Sequence, residues 1–178
     1  TYSDQVQEIY VAYYGRPGNP GGLEFWVEKL SASGGDLAAI IDAFGTSTEY
    51  TERFRNLDEE SLINAVYAQL LGRDADSGGL AFYLEKLRSG EMNLATIALD
   101  VINGVNEEGS DADIISNKLA VANAYTQAVD EGLFEYSFAQ IEDAKSLLLT
   151  VVDTELSLSN ALLVIEGYGG NGAIARDG

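Results

Sequence analysis

A gap-free internal repeat is the feature that most limits what this chain can fold into. When the sequence is shifted against itself by 57 residues, one stretch matches a second stretch at high density. The identical pairs are Tyr10/Tyr67, Gly15/Gly72, Arg16/Arg73, Gly21/Gly78, Gly22/Gly79, Leu23/Leu80, Phe25/Phe82, Glu28/Glu85, Lys29/Lys86 and Leu30/Leu87. This agreement indicates duplication of one structural unit, with copies at about residues 6–44 and 63–101.

The sequence pattern of each copy predicts three helices, joined by a glycine loop and a short turn. Apolar residues recur at i, i+3, i+4, i+7 and i+8, which is the spacing of one helix face. In the first copy they are Val6, Ile9, Tyr10, Tyr13 and Tyr14, and in the second Ile63, Val66, Tyr67, Leu70 and Leu71. Gly15 and Gly72 stand where a helix typically ends in a left-handed residue. The third helices carry Phe44 in one copy and Val101 in the other.

The rest of the chain also predicts helices. Thr46 to Glu49 has the spacing of a capping box, which predicts a short helix to about Phe54. Residues 104–113 are expected to form an acidic linker loop, and residues 114–168 a C-terminal helical segment whose last helix is capped by Ser157 and ends at Gly167. Residues 169–178 predict a glycine-rich tail or linker. The predicted fold is all-α, a compact helical array of duplicated three-helix units followed by a further helical segment.

The charge and two missing residue types exclude several functions. The chain has 29 acidic and 10 basic residues, a formal charge of −19, which disfavours nucleic acid and anionic membrane surfaces as partners. Histidine and cysteine are absent, so Ser-His-Asp and Cys-His nucleophiles and typical zinc sites are excluded. No apolar run approaches the roughly 18 residues of a membrane span. We predict that the chain is not an enzyme and is not inserted in a membrane, although carboxylate-only metal sites and paired-carboxylate hydrolysis stay open.

Two acidic segments are candidate calcium sites. Asp74 and Asp76 flank an alanine before a glycine pair, and alternating oxygen ligands around a turn suit a hard cation. Alternatively, Asp76 caps the helix that follows, as Asn19 does in the first copy. Asp111 and Asp113 belong to a second acidic stretch that begins at Asn106, and this stretch is either a calcium loop or a solvated linker. Calcium is the one candidate cofactor, and no organic cofactor is expected.

Six further residues are candidates for ligand binding. Arg16 and Arg73 follow the helix end in both copies, where a guanidinium binds a sugar or phosphate, or pairs with a carboxylate and the last helix carbonyls. Trp26 and Tyr83, with Tyr13 and Tyr14, suggest an aromatic platform for sugar, although such rings more often pack in a core. Tyr13 and Tyr14 stand opposite Leu70 and Leu71 of the second copy, so the first copy has hydroxyl-bearing rings there.

The two loops resemble the signature of the DUF4214 family. The segment from Tyr67 to Tyr83 contains a Tyr, three residues, Leu-Gly-Arg, a spaced Asp, Gly-Leu and an aromatic pair. The segment from Tyr10 to Trp26 is similar, with Tyr14 in place of the leucine and Asn19 in place of the aspartate. The resemblance spans about residues 6 to 101. A more distant similarity to phycobilisome linker domains covers only the Leu-Gly-Arg helix–loop pattern.

The resemblance carries expectations about context and function. The family occurs in bacterial surface-layer proteins, RTX-type exoproteins and adhesins, which implies type I export and a secreted, extracellular or cell-surface location. The helical amino-terminal part of some related surface-layer proteins attaches the lattice to lipopolysaccharide. The resemblance therefore implies a non-catalytic module that attaches to surface glycan or lipopolysaccharide with the help of calcium. The alternative is a protein–protein assembly module that binds another copy of a surface protein.

Overall fold

The computed structural model describes residues 1–105 and 109–176, and these residues form ten α-helices and no strand, as predicted. The helices are α1 (Tyr2–Tyr14), α2 (Pro20–Ala32), α3 (Ala38–Gly45), α4 (Thr48–Phe54), α5 (Glu59–Leu71), α6 (Ser77–Ser89), α7 (Leu94–Gly104), α8 (Ser110–Asp130), α9 (Phe138–Leu149) and α10 (Glu155–Arg176). We call α1–α3 unit 1 and α5–α7 unit 2. The all-α class is confirmed.

The two units share one core. Helix α1 of unit 1 contacts α2 of its own unit, and also α5 and α7 of unit 2. Helix α8 packs across α1, α2 and α5, and α9 and α10 pack on α8. As a result nearly every side chain of α1 from Val6 onward is buried, Glu8 being the exception at the margin. A duplicated sequence has therefore folded as one body, because the apolar faces of α1 and α5 cover each other.

Glycine ends the first helix of each unit, as the sequence predicts. Gly15 and Gly72 have φ values of 69° and 68°, in the left-handed region that glycine adopts without steric cost. Their backbone N–H groups donate to the carbonyls of Val11 and Ala68. The chain therefore reverses at the same point in both units, which places the arginine that follows beside the loop.

The Tyr and Gly-Gly elements of the repeat have a packing role. A Cβ atom at Gly22 would collide with the Tyr10 hydroxyl, and one at Gly79 would lie 2.8 Å from the Tyr67 hydroxyl. The second glycine of each pair thus leaves room for the tyrosine of the preceding helix. This close approach holds the first and second helices of each unit together.

Helix α4 places a cation near the end of the first helix of unit 1, and α8 does the same for unit 2. Arg53 of α4 donates to the carbonyl of Tyr13 at 3.4 Å, near the end of α1. Lys118 of α8 donates to the carbonyl of Gln69 at 3.0 Å, near the end of α5. The last carbonyls of a helix lack partners inside it and carry partial negative charge, so a cation there is favourable.

The acidic linker is shorter than the expected residues 104–113. Helix α7 includes Gly104 and α8 begins at Ser110, so Asp111 and Asp113 lie in the first turn of α8. Carboxylates near a helix N-terminus are stabilised by the positive end of the helix dipole, which the loop prediction did not take into account. Residues 106–108 of the predicted linker lie outside the described residues.

The last helix differs from the sequence prediction at both ends. Thr154 accepts a hydrogen bond from the N–H of Ser157, so the helix begins earlier than a Ser157 cap would allow. It then continues past Gly167 to Arg176, where a tail was expected, while residues 177–178 lie outside the described part of the chain. The ring of Tyr168 packs 5.3 Å from Phe134 and 6.2 Å from Tyr125. This packing offsets the cost of about 1 kcal/mol that a glycine imposes on a helix.

Candidate functional site

An open cavity of about 430 Å³ lies in unit 2 between α5, α6, α7 and the first turn of α8. We call it the unit 2 pocket. Its lining includes Tyr67, Arg73, Tyr83, Val101, Ser110 and Asp111. Three of the residues predicted from sequence therefore meet here: Arg73, predicted for a sugar or phosphate, Tyr83, predicted for a sugar platform, and Asp111, predicted for calcium.

Unit 1 has aromatic rings at the positions where unit 2 has this pocket. Tyr14 and Phe44 are the equivalents of Leu71 and Val101, by the 57-residue shift. The ring of Phe44 stacks on that of Tyr14 with centroids 4.7 Å apart, and it meets the ring of Trp26 edge-on at 5.8 Å. The space that three rings occupy in unit 1 is thus left open in unit 2 by smaller side chains.

The guanidinium of Arg73 is positioned by three contacts. It donates to Asp111 Oδ2 at 2.9 Å and to the carbonyl of Asp74 at 3.1 Å, and it lies 5.6 Å from the centre of the Tyr67 ring. The hydrogen bond to Asp111 raises the pKa of Arg73, so the side chain stays charged. Because Asp111 compensates that charge, the pair offers a ligand planar hydrogen-bonding groups with little net charge.

Two tyrosines line the pocket, Tyr67 and Tyr83, but both are largely buried, at 7% exposed each. Tyr83 donates from its hydroxyl to Asp100 Oδ2 at 2.7 Å, and its ring meets that of Tyr67 edge-on at 6.2 Å. Burial is the largest cause that raises the pKa of both tyrosines, so the hydroxyls are protonated at neutral pH. At the rim, Ser110 donates to Asp153 at 2.8 Å and holds the start of α8 in place. Rings beside carboxylates and hydroxyls suit a ligand with apolar C–H faces and many hydroxyl groups.

Arg16, the unit 1 equivalent of Arg73, is buried and fully engaged. Its Nε and Nη2 donate to the two carboxylate oxygens of Glu49 at 2.6 and 2.9 Å, and Nη1 donates to the carbonyl of Pro17 at 3.0 Å. The guanidinium carbon also lies 5.2 Å from the centre of the Tyr14 ring. Of the two predicted roles, pairing with a carboxylate is the one in the structure.

Tyr13 and Tyr14 lie in the core and do not form a surface platform. They are 2% and 5% exposed. The Tyr13 hydroxyl accepts from the N–H of Ala95 at 3.1 Å, and the Tyr14 hydroxyl lies 2.8 Å from Ser47 Oγ. Burial raises the pKa of both phenols. Trp26 is half-buried against Phe44, and Tyr83 lies in unit 2 at 7% exposed, so the four rings do not form the predicted sugar platform.

The predicted calcium ligands do not come together. Asp76 caps α6, since its side chain accepts from the N–H of Gly79 at 2.7 Å. Asn19 stands at the equivalent position before α2, but its side chain accepts no capping hydrogen bond, so that part of the prediction is wrong. Asp111 is paired with Arg73, and Asp113 is exposed in the first turn of α8. The parts of the chain that the structure describes hold no group of three or more acidic side chains able to bind a metal ion. The segment Asn106-Glu-Glu108 lies outside them, and calcium binding stays a prediction.

Tyr83 was a candidate for the sugar platform from its sequence, whereas Val101 and Ser110 of the pocket lining, and Asp100, which accepts from Tyr83, were not identified. The signal that points to them is the difference between the copies, because Phe44 is replaced by the smaller Val101 at an otherwise matched position. The partner of Arg16 was missed for another reason. Glu49 was assigned to a capping box, whereas Ser47 caps α4 and frees the Glu49 carboxylate for Arg16.

Comparison with known proteins identifies part of the chain. Residues 42–105 match the family DUF4214, a domain of unknown function. The match begins within α3, covers α4 and unit 2, and includes Tyr67, Arg73 and Tyr83 of the pocket. The resemblance seen in the sequence is confirmed for these residues. No curated protein and no solved structure matches the chain. None of the helices in the described residues is long and apolar enough to cross a membrane.

Proposed function

From a chain whose residues 42–105 form a DUF4214 domain, we propose a non-catalytic binding module that holds a neutral saccharide in the unit 2 pocket. The observation that carries the proposal is the contrast between the units. Unit 1 fills the space with Tyr14, Trp26 and Phe44, while unit 2 leaves it open beside Arg73 and Tyr83. A duplicated unit that keeps its loop but loses its filling residues has space for a ligand.

The size and chemistry of the pocket favour a sugar. Its volume of about 430 Å³ falls within the range of small-molecule sites. The Arg73–Asp111 pair, whose side chains are partly exposed, suits the hydroxyl groups of a sugar. Tyr67 and Tyr83, each 7% exposed, contribute only a small apolar part of the wall. Because Asp111 already compensates Arg73 and the chain has a charge of −19, a neutral sugar is favoured over a phosphate.

The biological setting that we propose is the bacterial cell surface. The family resemblance supports a secreted surface-layer or RTX-type protein, which this module would attach to surface glycan or to the sugar chain of lipopolysaccharide. Calcium would assist by reducing the repulsion between an acidic protein and an anionic surface. Co-sedimentation with lipopolysaccharide, in calcium and in chelator, tests this part. Equal sedimentation in both conditions would remove calcium from the proposal.

Saturation-transfer NMR with methyl glycosides of glucose, galactose, mannose, rhamnose and N-acetylglucosamine tests the pocket. We expect transfer to at least one glycoside in the wild-type chain. Val101→Phe, which places the ring of unit 1 in unit 2, should abolish it. Trp26→Tyr is the matched control, because it copies the unit 2 residue into unit 1 and leaves the pocket unchanged. Absence of transfer to any glycoside, or equal transfer in a folded Val101→Phe variant, contradicts the proposal.

A further inference from the structure

A second open cavity, of about 460 Å³, lies between α1, α2 and α8. We call it the α2–α8 groove. Its floor is apolar, since the partly buried side chains of Pro20, Leu23 and Val27 line it. Its two walls are polar and carry Glu24 and Glu28 on α2 and Asn123, Gln127 and Asp130 on α8. The groove shares no residue with the unit 2 pocket, so it is a separate candidate site.

Both walls of the groove carry carboxylates that lack a cationic partner. Glu24 and Glu28 are exposed on α2, and Asp130 is exposed at the end of α8. None of the three forms an ion pair with any residue that the structure describes. No Lys or Arg is among the residues that line the groove within residues 1–105 and 109–176. The groove therefore presents three negative charges that nothing in its lining compensates.

The three carboxylates occupy positions that are unfavourable unless a cation is near. Glu24 and Glu28 are four residues apart on one helix, so their charges repel each other across a single turn. Asp130 is the last residue of α8, where the helix carbonyls already carry partial negative charge. The last turn of α8 has no basic residue that would offset this charge. A cation bound in the groove would relieve both repulsions.

The uncharged polar groups of the groove also favour a ligand that donates hydrogen bonds. Gln127 donates from Nε2 to Glu131 at 2.9 Å, which leaves its carbonyl oxygen as an acceptor. The hydroxyl of Thr126, which also lines the groove, donates to the carbonyl of Gly18 at 2.7 Å, so it can only accept from a ligand. A protonated amine has three donors and no acceptor, and it therefore matches this lining.

The spread of the carboxylates and the apolar floor favour an organic cation over a metal ion. The described residues hold no group of three acidic side chains close enough to share a metal ion. Glu24 and Glu28 are about 6 Å apart along the helix axis, which is about the separation of the two amines of an extended putrescine molecule. The methylene groups between such amines suit the floor of Leu23 and Val27. We propose that the α2–α8 groove binds an aliphatic diamine or polyamine, independently of saccharide binding.

An amide NMR titration of the isotopically labelled chain with putrescine tests the proposal. We expect saturable shifts confined to the parts of α2 and α8 that line the groove, with an affinity that falls as salt screens the carboxylates. Mg²⁺ is the control ligand, because it carries the same charge without methylene groups, and it should bind these residues at least fivefold more weakly. Val101→Phe, which fills the unit 2 pocket, should bind putrescine like the wild type.

Two matched double variants separate the groove from the general acidity of the chain. Glu24→Gln with Glu28→Gln removes two of the three carboxylates and should weaken putrescine binding at least tenfold. Glu52→Gln with Glu60→Gln is the control, because it removes two exposed carboxylates outside the groove and changes the net charge equally. This control should bind within twofold of the wild type.

Gln127→Lys tests the groove by placing an ammonium group on its wall. The residue is exposed, so the variant should fold normally, and it should lose putrescine binding because the new charge occupies the site. Absence of saturable shifts in the wild type, equal weakening in the two double variants, equal affinity for Mg²⁺, or retained binding in a folded Gln127→Lys variant would each overturn the proposal. Binding of a lysine-rich peptide without binding of putrescine would also overturn it, and would assign the groove to a protein partner.

Discussion

The hydroxyl of Tyr13, in unit 1, accepts a hydrogen bond from the backbone N–H of Ala95, in unit 2, at 3.1 Å. Ala95 is the second residue of α7, where a backbone N–H has no partner within its own helix. Tyr13 thus supplies a hydrogen-bond acceptor for a backbone N–H in the first turn of α7, 82 residues further along the chain. Leu70, the unit 2 equivalent of Tyr13, has no hydroxyl and cannot make such a bond.

Tyr13→Phe should lower the free energy of unfolding by about 1–3 kcal/mol, because it leaves the buried N–H of Ala95 without its acceptor. Chemical denaturation measures the effect. Tyr2→Phe is the control, since Tyr2 is exposed on the same helix and should change stability by less than about 0.5 kcal/mol. Equal effects of the two substitutions would rule out the capping role.

The two Arg–carboxylate pairs should contribute unequally to stability. Glu49→Gln leaves the buried Arg16 guanidinium without its carboxylate, and we expect a loss of about 2–3 kcal/mol because that charge is withdrawn from water. Asp111→Asn breaks a pair whose side chains are both exposed, and should cost less than about 1 kcal/mol. Denaturant unfolding of both variants compares them. A larger loss for Asp111→Asn would contradict this ranking.

The two glycines of the unit 1 loop should differ sharply when replaced by alanine. Gly22→Ala drives a methyl group into the Tyr10 hydroxyl, and the buried ring cannot move away freely, so we expect a loss of about 1–3 kcal/mol. Gly21→Ala is the matched control, because its methyl group meets nothing within 4 Å, and stability should stay the same or rise slightly. Thermal melts of both variants test the packing role of the repeated Gly-Gly element.

Glu8 should make stability depend on pH in the acidic range. Burial, helped by Asp4 and opposed by the N-terminal amine, raises the pKa of Glu8 from 4.5 to about 7. Lys118 lines the same small cavity between α1, α5 and α8. Between pH 4.5 and 7 the folded chain keeps a proton that the unfolded chain has released. The free energy of unfolding contributed by Glu8 therefore falls as the pH rises through this window.

Glu8→Gln should remove that part of the pH dependence and should be more stable than the wild type above pH 7, since no buried carboxylate has to ionise. Denaturant midpoints measured from acidic to neutral pH give the slope. Glu28→Gln removes one exposed carboxylate from α2 and should keep the wild-type slope. A slope that persists in Glu8→Gln would assign the pH dependence to another group.

The helices and the duplication could be predicted because their causes are local. Apolar spacing specifies a helix face within a few residues, and Gly15 and Gly72 end their helices through the backbone freedom of glycine alone. The last helix was mispredicted because glycine was taken as its end. Tyr168, which packs against Phe134, holds the helix beyond Gly167 through a contact that no local pattern contains.

The candidate site could be predicted only in part. Arg73 and Asp111 were both identified from sequence, but as members of different sites, because nothing local indicates that residues 38 positions apart form a pair. Tyr13 and Tyr14 were candidates for a sugar platform on the basis of a substitution pattern, with core packing as the alternative. The structure buries them because α1 has neighbours on nearly every side, so the same hydroxyls bond to Ala95 and Ser47.

Duplication, helical structure and a strongly acidic composition without histidine or cysteine follow directly from the amino-acid sequence, because periodicity and glycine positions act within single helices. The differences between the two copies arise from long-range packing. The packing of α4 and α8 on the units buries Arg16 with Glu49 and leaves Arg73 with Asp111 beside an open pocket. The physical reason is that burial and charge pairing depend on neighbours distant in sequence, so identical motifs acquire different environments.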